Sequence, residues 1–437
     1  MARATLALCA AMVALPVLLA AQDSAVTYDS AVTYHEDVAP ILQQRCQGCH
    51  RPGEAAPFSM LTFKDTRPWA RAMKEAVTSG RMPPWHAEPG IGHFGNDRRL
   101  KPAEIDLISR WADAGAPAGD SANALLPIAF LEGWNIGEPD LVFEMPTSFE
   151  VPATGTVDYQ WIVMPLGLEE DTWLEGVEVR PGDRSVVHHV LAFYRRPGST
   201  WLADATPGVP TPKGSGDPEA GMSDGSIGGY VPGLPPTRLP PGRAILLPAG
   251  SDLVLQMHYT ATGKVAKDRT KVGIVFARDP VQERYTSIVV GSNTFVIPPD
   301  EANYRVDADV TLDADVRVLG FTPHMHLRGK AFEYRAVFPD GTSEVLLRVP
   351  KYDFNWQLTY ELAEERVFPR GTRIEASAWF DNSLGNRFNP DPKTEVRFGD
   401  QTWDEMMAGF VRVALASDQD PSKIIKPPPP EATTDDQ

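Results

Sequence analysis

The chain is poor in the residues that most often carry chemistry. Its 437 residues include three cysteines and nine histidines. Cys9 lies in an apolar N-terminal stretch, which leaves only the neighbouring pair Cys46 and Cys49. A disulfide-stapled framework is therefore excluded as the basis of the fold. Positive charge is also scarce: 41 Lys and Arg stand against 58 Asp and Glu, a formal net charge of −17. That balance argues against nucleic acid or an anionic membrane surface as partner. Beyond the first twenty residues there is no apolar run long enough to span a bilayer.

What is abundant is turn chemistry. Proline (41) and glycine (35) are frequent, which disfavours a mostly helical fold. The length suits about three domains. Residues 1–21 read as a signal peptide, with Arg3 before an apolar stretch and Leu19-Ala20-Ala21 as the cleavage site. This predicts export to a bacterial periplasm. Val38, Ile41 and Leu42 share one helical face leading into Cys46. A second helix is predicted from Pro102 to Ala114, with Pro at its first position, Ile105, Ile108 and Ala112 on one face, and Gly115 as the stop. These two helices define a small α domain over 32–118, followed by a linker over 119–138.

From there the period changes to two. Leu253, Leu255, Met257 and Tyr259 alternate with Val254, Gln256 and His258. Phe332, Tyr334, Ala336 and Phe338 alternate with Glu333, Arg335 and Val337, before the turn Pro339-Asp340-Gly341. The predicted fold class is mainly β with a small α domain: two β-sandwich domains over 139–298 and 299–416, then a disordered tail over 417–437. The Gly/Pro-rich stretch 197–250 reads as a long functional or covering loop.

Within the α domain, Cys46-Gln47-Gly48-Cys49-His50 is C-x-x-C-H, the attachment motif of c-type haem. The two thiols form thioethers to the haem vinyl groups and His50 becomes the proximal iron ligand. Zinc would require further cysteines, which the chain lacks. The predicted distal ligand is Met82, in Arg81-Met82-Pro83-Pro84-Trp85; Met60, Met73, His86 and His93 are its rivals.

Every histidine after residue 93 falls into one ordered set: His188 and His189, His258, then His324 and His326. Imidazole suits copper, zinc, iron and nickel, and a thioether such as Met406 points to Cu(I). His324 and His326 lie on one face of an extended chain, with Met325 turned away. Met406 shares a face with Ala408 and Phe410, and Met407 points the other way. His188 and His189 are adjacent, so joint ligation requires a strand end, a bulge or a strong twist.

The runs Ser185-Val186-Val187-His188-His189-Val190-Leu191, Leu255-Gln256-Met257-His258-Tyr259, His324-Met325-His326-Leu327-Arg328-Gly329 and Asp404-Glu405-Met406 resemble the copper type II, ascorbate-dependent monooxygenases. That family includes peptidylglycine α-hydroxylating monooxygenase and dopamine β-monooxygenase. The resemblance covers roughly 139–416. It implies two jelly-roll-like sandwiches, each with one copper, facing each other across a solvent cleft. His188, His189 and His258 would hold an electron-transfer copper. His324, His326 and Met406 would hold the catalytic copper, which takes O2 and substrate. Where the peptide-amidating enzyme has an arginine two residues before its His-x-His pair, this chain has Thr322. Where that enzyme has an asparagine and a tyrosine after the methionine, this chain has Ala408 and Phe410.

The combined expectation is a periplasmic monooxygenase that hydroxylates a C–H bond of a small apolar or neutral molecule with O2. Its cofactors are two copper ions and one covalent haem c. The haem domain passes on electrons from an ascorbate-like reductant or a redox protein. The competing expectation is a non-catalytic haem/copper electron-transfer or copper-handling protein on the same scaffold.

Overall fold

The computed structural model describes residues 31–54, 56–130, 133–212 and 225–427. The expected signal peptide, Cys9 and the end of the acidic tail lie outside the described residues. Both predicted helices form, as Ala39–Arg45 and Pro102–Asp113. Val38, Leu42, Ile108 and Trp111 are fully buried between them. The Glu104 carboxylate accepts from the Lys101 amide at 2.6 Å, closing the first turn of the second helix. Gly115 ends it at φ +84°, a conformation that costs glycine nothing. A further helix, Ala70–Thr78, was not anticipated; it turns Ala70, Met73 and Val77 inward.

The rest of the chain is β. A nine-stranded sheet runs in the order Leu141–Glu144, Lys271–Phe276, Thr172–Arg180, Arg243–Leu247, Glu283–Ser292, Met407–Ala416, Val316–His324, Tyr360–Phe368, with Thr237–Arg238 paired off its path. Two smaller sheets cover it. One is ordered Thr211–Pro212, Gln160–Pro165, Asp252–Tyr259, Val187–Arg195, Ser226–Tyr230. The other is ordered Tyr304–Thr311, Arg373–Phe380, Gly329–Val337, Ser343–Val349. Alternation behaves as expected. Leu253, Leu255, Met257 and Tyr259 enter one core, and Phe332, Tyr334 and Ala336 another. Among the described residues no helix is long and apolar enough to cross a membrane.

Four expectations change. The core changes hands between Phe276 and Ile288, not at 298, because Glu283–Ser292 pairs along its whole length with Met407–Ala416. The stretch 197–250 is not one loop. It contributes Ser226–Tyr230 and Arg243–Leu247 to two sheets, and Trp201 and Leu202 cover Trp161 and Phe193. Residues 417–427 are not disordered. Ile424 is 2% exposed, its carbonyl accepts from the Asp313 amide at 2.7 Å, and Lys426 donates to the Thr311 carbonyl. An apolar Ile424-Ile425 pair sits inside an otherwise polar end, and composition averaged over the tail conceals it.

The fourth concerns the α domain, which is not self-contained. Residues 85–96 leave it as a strap that lies on the far β unit. Trp85 packs 4.9 Å from Tyr360, Phe94 bridges Leu362, and backbone bonds join Glu88 to Arg348 and Gly95 to Glu361. Trp85→Ala should lower the unfolding free energy by about 3–5 kcal/mol through the cavity it leaves. Trp85→Phe should cost much less, since it removes a buried indole N–H that has no acceptor. Urea unfolding followed by circular dichroism checks both; an unchanged midpoint for Trp85→Ala means the strap is not anchored there.

Candidate metal centres

His188, His189 and His258 meet. Their strands pair His258 with His189, and the next pair is Tyr259 with Val187. His188 is thus the extra residue of a β-bulge, which lets two adjacent side chains reach the same side. His188 Nδ1 lies 3.1 Å and His258 Nδ1 3.4 Å from His189 Nδ1. The three ligand atoms lie within 4.8 Å of one another. Desolvation pushes all three rings below the usual histidine range, most strongly His189 and His258, where the neighbouring imidazoles add to it. They are therefore neutral at neutral pH. Three neutral nitrogens facing one another, with no carboxylate among them, form a donor set for a borderline metal such as copper or zinc, not for magnesium or calcium. His258 Nε2 faces the Thr402 hydroxyl at 3.4 Å, which leaves Nδ1 for the ion.

His324 and His326 also come together, with ring centroids 5.2 Å apart. Met325 between them is fully buried in the core, as alternation requires. His324 Nδ1 bonds the Gln357 amide oxygen at 2.8 Å, and His326 Nδ1 lies 3.3 Å from the Asp404 carbonyl. With each Nδ1 proton directed there, each Nε2 carries the free lone pair. Desolvation lowers these rings to about 4 and about 3. Met406 lines the same cavity as both rings, whereas Met407 is buried in the core. The register places Ala408 opposite His324 and Phe410 opposite Thr322, and of these Phe410, His324 and Thr322 line the cavity.

Three residues of this region carry no periodic signal in the sequence. Glu405 is fully buried, and its carboxylate accepts from the amides of His326 (2.9 Å), Arg328 (2.6 Å) and Met406 (3.2 Å). Gln357 orients His324. Phe354, 8% exposed, places its ring 5.4 Å from His188 and 5.9 Å from His326. Phe354 thus sits between the two histidine sets, while His189, His324, His326 and Met406 also line one common cavity. Asn355 bonds His188, so the stretch Asp353–Gln357 touches both sets.

In the helical part, the chain turns back on itself straight after Ala39–Arg45. Cys49 and His50 both donate their amides to the Cys46 carbonyl, which brings the three motif residues onto one turn. Both thiols are free and half-buried, and burial pushes Cys46 up to about 12. His50 Nδ1 lies 3.3 Å from the Phe58 carbonyl, which leaves Nε2 for an axial bond. Beside it Phe58 stacks on Trp69, which stays 42% exposed. Free thiols, an oriented imidazole and a partly bare aromatic wall fit a covalently attached planar group. Met60 and Met73 are in the helical core and Met82 is half-buried just ahead of the strap, so the geometry brings no single methionine forward as the distal ligand. The motif's loop also docks outward: Arg184 donates to the Gly53 carbonyl at 3.0 Å and pairs with Glu54.

No family model matches the chain, and no curated protein does. Among solved structures, it is similar to infectious bursal disease virus Gx strain at 12% identity, over 66% of this chain and 74% of that one, with TM-score 0.19. The Gt strain of the same virus matches at 12% identity over 69% and 77%, with TM-score 0.18. At such scores the likeness carries no argument.

The depressed histidines fix a pH dependence. A group whose folded pKa lies below its unfolded value of 6.5 contributes stability that is present above 6.5 and is lost as pH falls through the folded value. Glu405, raised to about 7 by burial, acts in the opposite sense, but it is one group against five. The metal-free protein should therefore lose stability from pH 6.5 down to about 4. Replacing His324 and His326 together by Gln should make that fall shallower. Urea midpoints across pH measure it; identical slopes for the two proteins would refute the assignment.

Proposed function

We propose that the chain is a periplasmic copper-dependent monooxygenase: a cytochrome c-like domain followed by two β-sandwich domains, hydroxylating a C–H bond of a small molecule with O2. The observation that carries this reading is that two unlike donor sets, three imidazoles and two imidazoles plus a thioether, lie side by side, with His189 of the first and His324, His326 and Met406 of the second lining one cavity. A carrier or storage protein has no use for two sets of different softness opening on a common space. Copper, when bound, supplies one-electron redox chemistry and O2 activation.

The protein's own residues do the rest. His188, His189 and His258 would hold the ion that passes an electron. His324, His326 and Met406 would hold the ion at the reaction, where the thioether favours Cu(I). Gln357 and the Asp404 carbonyl fix the tautomers of the second pair. Phe354 packs against His188, His258 and His326 and fixes how the two sets sit against each other. Cys46, Cys49 and His50 would hold haem, a one-electron carrier. Glu54 and Gly53, bonded to Arg184, support entry of electrons at the first histidine set, since Arg184 lies four residues before His188.

Metal and haem analysis of periplasmically matured protein tests the reading. The expected result is two coppers and one covalent haem per chain; one copper would favour the electron-transfer or copper-handling alternative. Cys46→Ala with Cys49→Ala should abolish haem staining after denaturing electrophoresis. Met406→Ile should keep the fold and the first copper, lose the copper–sulfur signal in X-ray absorption of the reduced protein, and lose most O2-dependent turnover. Met407→Ile should leave that signal intact. If neither change removes the sulfur signal, the proposed reaction centre is wrong.

A further inference from the structure

The cavity beside His324, His326 and Met406 has a second end. It occupies about 200 Å³ between the outer face of the five-stranded sheet and the exposed face of the Met407–Ala416 strand. That is below the roughly 300–1,000 Å³ of drug-sized pockets, so its ligand is small. On the floor, the rows follow the register. Ala408 faces His324, Phe410 faces Thr322, and Arg412 faces Gly320. Arg412 is thus four residues from the His324 row, about 13 Å along the strand. The lining between the two ends carries the apolar side chains Leu191, Phe193, Ile227 and Phe410, with Gln256 and Thr322 as neutral polar neighbours.

Among the described residues, Arg412 is the one lysine or arginine lining this cavity. Its side chain is 28% exposed. Glu361, itself 53% exposed, lies 3.7 Å from it, too far for a direct hydrogen bond. Tyr285 lies under its guanidinium at 5.8 Å, and Ser287 pairs with it across the sheet. The cavity's own carboxylate, Asp400, acts on Tyr159, which lines the cavity with His189, at the histidine end. A guanidinium held in a partly dry wall, whose one carboxylate partner is a long ion pair to the exposed Glu361, keeps hydrogen-bond donors for an incoming anion.

We propose that this cavity takes a medium-chain carboxylate. Its head would be held by Arg412 with Ser287, its alkyl chain would run along Phe410 and Leu191, and its far end would reach His324 and His326. The ligand is then anionic at one end, not neutral throughout as the sequence had suggested. The consequence for chemistry rests on the proposed reaction centre: the carbon presented there is remote from the carboxylate. The binding step does not rest on it.

The test uses octanoate and 1-octanol as probes on the full-length, copper-free protein, by isothermal titration calorimetry. Wild type should bind octanoate more tightly than octanol. Arg412→Gln should weaken octanoate by about tenfold or more, the range for a hydrogen-bonded charge, and leave octanol nearly unchanged. Arg412→Lys should recover part of the loss. Phe410→Trp, which fills the channel, should weaken both probes. Failure of octanoate to bind wild type at millimolar concentration, or equal losses for both probes in Arg412→Gln, would overturn the proposal. If octanoate binds as expected while Met406→Ile leaves the copper–sulfur signal in place, the ligand assignment stands and only the reaction-centre reading falls.

Discussion

The carboxylate of Glu405 is the interaction on which the second donor set depends. It accepts from three backbone amides that belong to two segments far apart in sequence, His326 and Arg328 on one side and Met406 on the other. Arg328 then carries the tie further, to Asn382 and to the Trp403 carbonyl. A buried carboxylate is costly unless its oxygens are well occupied. Here three N–H donors and a nearby guanidinium occupy them. Burial still outweighs these contacts and raises the group to about 7. The site's geometry therefore rests on main-chain bonds to one side chain, and the imidazoles and thioether project from a backbone that is already fixed.

The two β units share more than contact. Their common sheet is joined where Arg243–Leu247 meets Glu283–Ser292 in only two parallel pairs. A short ladder of that kind is weak alone. Arg243 reinforces it, forking to Glu283 at 2.9 Å and to Glu365 at 2.7 Å, and Arg317 reaches Glu283 from the strand beyond Met407–Ala416. Arg243 is 9% exposed, so these bonds are screened less than surface pairs. The joint holds the two histidine-bearing faces opposite each other.

Much of this was legible in the sequence because it obeys a period. Alternation sorted Met325 from its flanking histidines and Met407 from Met406, and the need for a bulge at His188 follows from two adjacent ligands. Period-two runs gave the cores around Leu255 and Tyr334. The helix stripe gave Ile108 but passed over Trp111, which lies on the same face. What escaped has no period. Phe354 and Gln357 sit in an irregular stretch, and only the fold brings that stretch between the two sets. Glu405 stood inside a noted motif, yet its role depends on amides some eighty positions away. Boundaries failed for a similar reason. Glu283–Ser292 reads as one more strand, and only its partner, Met407–Ala416, decides which core it joins.

The strap over residues 85–96 has a kinetic meaning. The helical part is fastened to the β units by its own continuing chain, by Trp85 and Phe94 against Tyr360, and by Arg184 on the loop that carries Gly53 and Glu54. A partner fastened at three points does not search for its docking face. Whatever passes between the C-x-x-C-H turn and the histidine strands does so at a fixed effective concentration, as a first-order process. Dilution would leave it unchanged, and so would salt strong enough to separate two free proteins.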